Sequence, residues 1–189
     1  MIPVFLCGNE YEEPSTDTFL KLLNRFGGIQ YYGKKEFLQT NEEPRFSVFS
    51  SFEVPKITAN KGILILKNGA IPPVRQVLSN NWIAVIDSQN ENVGKILKGT
   101  GVTAVSCGMS ARDTLSISSI SEGTAMISLQ RTIKTLQNMI VEPRDIEVDF
   151  MQEPSPFLLL SACAVLLFSG EDGGEGHRFI FEKIGSYKS

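Results

Sequence analysis

Five short apolar runs set the tightest limit on what this chain can fold into: IPVFLC (2–7), RFSVFSSFEV (45–54), GILILKNG (62–69), WIAVIDS (82–88) and VTAVSCG (102–108). Each is about the length a core strand needs. Helical patterns lie between them. Phe19, Leu22, Leu23 and Phe26 recur at i, i+3, i+4 and i+7 behind Pro14 and an N-cap at Ser15, Thr16 or Asp17, and Gly27-Gly28 stop the run. Pro72-Pro73 permit a helix start over PPVRQVLSN, and ENVGKILKGTG reads as a short helix ending in glycine. Apolar strands alternating with helices are parallel strands covered on both faces. The expectation is a three-layer α/β unit with a mostly parallel sheet.

After Gly108 the pattern changes. TLSISSISEGTAMISLQ (114–130) alternates on both sides of Glu122-Gly123, and RDIEVDF (144–150) alternates again, which predicts a small antiparallel β patch over about 114–150. A helix from Pro156, the loop GEDGGEG and a last strand in RFIFEKI follow. The apolar run 157–168 is about 12 residues, against the roughly 20 a bilayer-crossing helix needs, so it reads as a buried helix. The apolar residues of MISLQRTIKTLQNMIV either extend a sheet edge into a dimer or pack inside.

With 189 residues and 42% hydrophobic content, the whole chain, 1–189, reads as one domain. Net charge is -3 with both signs scattered, so the chain carries no footprint for nucleic acid or an anionic membrane, and a small-molecule or protein partner is expected. The start MIPVFLCGNE has neither a basic n-region nor a small-residue cleavage site, so the expectation is a cytoplasmic chain. Cys7, Cys107 and Cys163 are far apart and sit in apolar runs, the pattern of buried free thiols rather than a disulfide framework or a zinc site.

The stretch LCGNEYEEPSTDTFLKLLNRFGG (6–28) has the layout of a phosphate-binding turn: an apolar strand, a glycine, a polar loop, a helix. A loop of the GxxxxGK[ST] type wraps phosphates with backbone N–H groups while its lysine neutralises oxygens and its hydroxyl binds magnesium. Here Gly8 and Asn9 open the loop and Ser15 and Thr16 offer hydroxyls, but Glu10, Glu12 and Glu13 stand where a lysine is needed. Like charges at about 4 Å cost roughly 1 to 4 kcal/mol, so this turn is expected to repel a triphosphate. Ser15 and Thr16 are either helix caps or anion contacts. Lys67 and Asn68, just past a strand end, are either a turn or ligand contacts, and Asp87 is either a cap for the next helix or an acceptor for a ribose or amide. His177 reads as a solvated surface residue, Arg112-Asp113 as a surface turn pair, and GEDGGEG as a loop off the EF-hand spacing. No catalytic triad and no metal site assemble from these residues.

In order, these pieces resemble the central, ATP-binding domain of the Mur ligases, the enzymes that add amino acids to UDP-muramyl precursors of peptidoglycan. The likeness runs over nearly the whole chain and is carried most by WIAVIDSQNENVGKILKGTGVTAVSCGMSARDTLSISSISEGTAMISL, PFLLLSACAVLLFSG and FSVFSS. It implies a Rossmann-like sheet, ATP and magnesium. The residues depart from the family pattern at each catalytic position. No loop lysine is present, Val48 stands where the family's magnesium-binding glutamate belongs, and EPSP replaces a His-Asn pair before the apolar helix. The expectation is a free-standing, non-catalytic copy that takes up no ATP or magnesium unless its altered site still functions, serving as a binding or scaffolding protein tied to bacterial cell-wall precursor metabolism. The alternatives are a subunit of an ATP-dependent carboxylate-amine ligase whose partner supplies the missing groups, and a small-ligand sensor using the loops after Gly8, Leu66 and Asp87.

Overall fold

All five apolar runs become strands of one sheet. A computed structural model describes residues 1–8, 13–71, 78–150, 154–174 and 176–181, the side chains of residues 13–15 excepted. The helix expected from Pro72 therefore lies mostly outside the described residues. The first half runs β1 (Ile2–Cys7), α1 (Glu13–Asn24), β2 (Ile29–Tyr32), β3 (Phe37–Gln39), β4 (Phe46–Ser51), β5 (Gly62–Leu66), β6 (Trp82–Asp87), α2 (Val93–Leu97) and β7 (Thr103–Gly108). The second half runs β8 (Leu115–Ser121), β9 (Thr124–Leu129), β10 (Ile133–Lys134), β11 (Ile140–Val141), β12 (Arg144–Phe150), α3 (Pro156–Phe168) and β13 (Arg178–Phe181).

The main sheet has 11 strands in the order β13-β12-β9-β8-β7-β6-β5-β1-β4-β2-β3, and β10 pairs with β11 apart from it. From β2 to β7 the neighbours are parallel. The expected antiparallel patch is present in β8, β9 and β12. It continues the same sheet, because β8 starts parallel to β7 through Cys107↔Leu115 and Gly108↔Ser116 before β9 and β12 turn antiparallel. At the other end β3 is an edge strand the sequence reading passed over, paired antiparallel to β2.

Alternation along the strands builds two cores. Ile63 and Ile65 face one way with Val4, Leu6, Phe46 and Val48, under α1 and α3; Leu64 and Leu66 face the other with Cys7, Trp82 and Ile96 of α2. This is the expected three-layer arrangement. α3 is apolar all round, with Leu158 to Phe168 buried, because it packs on the sheet and on α1 at once. Its one polar interior group, Ser161, donates to the Phe157 carbonyl at 2.7 Å. On the second face the rings of Trp82, Phe5, Phe49, Tyr32 and Phe37 form a row across the strands, with neighbouring centroids 4.8 to 5.8 Å apart. Trp82 fits because β5 begins with Gly62, where a Cβ would stand 2.6 Å from the indole.

Local expectations are corrected at several places. α1 begins at Glu13, so Thr16 and Asp17 lie inside its first turns and do not cap it; Pro14 is accommodated because the first turn needs no N–H there. Asp113 is not half of a surface pair. It is 4% exposed, and its carboxylate accepts the Ser110 N–H at 3.2 Å while Arg112 stays in solvent. His177 is half-buried at φ +49, its Nδ1 3.1 Å from Arg144 Nη1 and 3.2 Å from the Asp172 carbonyl. All three cysteines are free and buried, as their apolar runs require.

Candidate functional site

The chain reverses direction around β1. It leaves β1 through α1 toward β2 and β4 on one side and comes back to β5 on the other. Open α/β sheets bind ligands in the crevice such a reversal opens at the strands' carboxyl ends. At this edge Gly8 follows β1 with φ +132, and a Cβ there would lie 2.7 Å from the Lys67 Cβ and 3.1 Å from the Asn68 carbonyl oxygen. The missing side chain lets the end of β5 lie directly against the turn. Lys67 donates its N–H to the Cys7 carbonyl at 2.8 Å, and its carbonyl accepts from Ala70 at 3.3 Å and from the Asn90 side chain at 3.1 Å. KNG is therefore a turn, with Gly69 at φ +81, and it fixes the lysine at the same time.

Lys67 is only 5% exposed, and its ammonium donates to Thr16 Oγ1 at 3.4 Å across the first turns of α1. Next to it, Asn68 Nδ2 donates to Asp87 Oδ2 at 3.4 Å. Asp87 Oδ1 accepts the Gln89 N–H at 2.9 Å, so this carboxylate closes its own turn; the N-cap position of α2 belongs to Asn92. The fold thus gathers Gly8, Thr16, Lys67, Asn68 and Asp87 at one edge. Asn9 and the Ser15 side chain lie outside the described residues. The loop has no lysine of its own, yet one from β5 reaches the helix it leads into. Burial pushes the Cys7 thiol up to about 12, with the Lys67 charge opposing that rise.

Beside this cluster an open cleft of about 480 Å³ is lined by Thr16, Asp17, Tyr31, Gly33, Lys34, Lys35, Glu36 and Ser50. Thr16 belongs to both. The sequence reading missed the lysines because they sit between β2 and β3, strands it had not assigned. The available signal was Gly-Lys-Lys-Glu (33–36) directly after the alternating IQYY. The lining carries both signs, two ammonium groups against two carboxylates, with hydroxyls between them.

The magnesium that the Mur ligase likeness implies does not fit these residues. Val48 is 0% exposed, packed in the apolar core under α1, and brings no oxygen to the edge. Among the described residues no group of three or more His, Cys, Asp or Glu stands close enough to share an ion. No described helix is long and apolar enough to cross a membrane.

No protein-family model matches the chain, and no curated protein matches it. Solved structures do. A murein peptide ligase Mpl from Psychrobacter arcticus superposes with TM-score 0.56 at 10% identity, over 89% of this chain and 44% of that one. MurF ligase from Thermotoga maritima, solved in complex with ADP, gives 0.52 at 8% identity over 90% and 46%. The UDP-N-acetylmuramate:L-alanyl-gamma-D-glutamyl-meso-diaminopimelate ligase of Neisseria meningitides gives 0.54 at 12% identity over 90% and 62%. The chain has the Mur ligase central-domain fold and spans about half the length of the structures it matches.

Proposed function

We propose that this chain is a non-catalytic Mur ligase-like binding protein of the bacterial cytoplasm, tied to peptidoglycan precursor metabolism. Its ligand enters at the carboxyl edge, between the Lys67–Asn68–Asp87 cluster and the Lys34–Lys35 cleft. One observation carries the reading: polar groups are held in place at that edge while Val48, which the family resemblance aligns with a metal-binding glutamate, is sealed in the core. The glutamates between Gly8 and α1 work against a triphosphate, and the mixed charge of the cleft suits a ligand that carries both signs. Calorimetric titration with Mg-ATP and with a UDP-muramyl peptide tests it. The muramyl ligand is expected to bind without ATP turnover; tight Mg-ATP binding accompanied by hydrolysis refutes the reading.

A second reading, a subunit of an ATP-dependent carboxylate-amine ligase completed by another chain, has the Lys67 ammonium in its favour. That charge lies where α1 begins, as a phosphate-binding lysine must. Co-purification with a second polypeptide and ATP turnover by the pair supports it, and an inert isolated chain counts against it.

A further inference from the structure

β3 ends the sheet, and its outer edge is exposed. Phe37, Leu38 and Gln39 are all exposed, Phe37 at 59% and Leu38 at 44%, and Tyr32 beside them at 39%. The ladder to β2 fixes which backbone groups are in use. Gly33 donates to the Glu36 carbonyl at 2.9 Å and Thr40 to the Ile29 carbonyl at 3.1 Å, so Glu36, Leu38 and Thr40 bond inward. By the alternation of an antiparallel ladder, the N–H and C=O groups of Phe37 and Gln39 point away from the sheet.

We infer that a second copy of this chain pairs antiparallel along β3, about a two-fold axis through Leu38 and perpendicular to the sheet. Only an axis of that kind keeps equivalent faces on the same side of the joined sheet. Phe37 of each copy then exchanges both backbone bonds with Gln39 of the other, and the two Leu38 residues meet as a non-hydrogen-bonded pair. The flanks match in charge. Residues equally far before and after Leu38 become neighbours, so Lys34 faces Glu42, and Lys35 faces Asn41, of the other copy. Gln39 steadies the acidic flank by donating to the carbonyls of Asn41 at 2.8 Å and Glu42 at 3.4 Å. Parallel self-pairing would set lysine against lysine and glutamate against glutamate. An unguarded apolar edge with opposite charges at its two ends therefore selects the antiparallel copy.

Sedimentation velocity over a concentration series of the full chain tests this. Phe37→Pro removes an outward donor and leaves the β2–β3 ladder intact, and Lys34→Glu sets like charges against each other across the axis. The expected result is a concentration-dependent dimer for the unaltered chain and loss of that dimer in both variants. The double variant Lys34→Glu, Glu42→Lys regains it, and far-ultraviolet circular dichroism is unchanged throughout. An unaltered chain that stays monomeric at every concentration overturns the inference, as does a dimer that neither single variant weakens.

Discussion

Gly8 shows how one missing side chain sets the geometry of the edge. Its φ of +132 and the 2.7 Å approach of Lys67 leave no room for a methyl group. Gly8→Ala is expected to lower stability by roughly 1 to 3 kcal/mol in urea denaturation, because strain and crowding act together there. A conservative change elsewhere in the turn should not reproduce this. The thiols give a second expectation. Cys7 is raised from 9.0 to about 12, so its neutral form stabilises the fold fully below pH 9.0, and that contribution is lost as pH climbs toward 12. Burial raises Cys107 and Cys163 in the same direction. Urea midpoints should therefore fall through this alkaline window, less steeply in Cys7→Ala, and thiol reagents should label the three cysteines only on unfolding. At this scale Lys67, Asn68 and Asp87 were legible because they end apolar runs. Asp113 was not, since its burial comes from Gly108, whose Cβ would lie 2.5 Å from the carboxylate, a contact no local pattern announces.

Arg45 shows how elements are held to one another. It precedes β4, yet its guanidinium donates to the Phe26 carbonyl at 3.2 Å and the Ser169 carbonyl at 2.9 Å and pairs with Glu171. One side chain thus ties the ends of α1 and α3 to the base of β4. Arg45→Ala should cost roughly 1 to 3 kcal/mol by removing the Phe26 carbonyl's donor and leaving the Ser169 carbonyl with the longer 3.3 Å bond from Gln137, and Arg45→Lys should recover little, since a single ammonium cannot span the fork. Within α3, Leu166→Ala is expected to cost roughly 2 to 5 kcal/mol, because Leu166 is 0% exposed and its truncation leaves a cavity in the core. Thermal melts of the three variants check these costs. Long or strongly apolar elements such as α3, β5 and β6 could be read from sequence directly. β2 and β3 could not, because three or four residues flanked by Gly-Gly and Lys-Lys give too short an alternation, and only pairing, β2 with β4 and β3 with β2, makes them strands. The lysines of the cleft were lost with them.

Across the whole molecule, α3 contacts α1, β6, β7 and β8, so it belongs to both the parallel and the antiparallel parts of the sheet. Amide hydrogen exchange should be slowest in β5, β6 and α3, whose residues are almost all buried, and fastest in the two-residue strands of the β10–β11 pair. The layers and the parallel direction of the sheet were legible because buried parallel strands have a distinctive apolar signature. Its continuity was not, since β7 and β8 meet only through Cys107↔Leu115 and Gly108↔Ser116, where β1 and β4 share six rungs. That narrow join has a mechanical consequence: under tension applied along the strands, the sheet is expected to open first between β7 and β8, with residues 109–114 still tethering the two halves, and single-molecule pulling should read this as an early, small extension step.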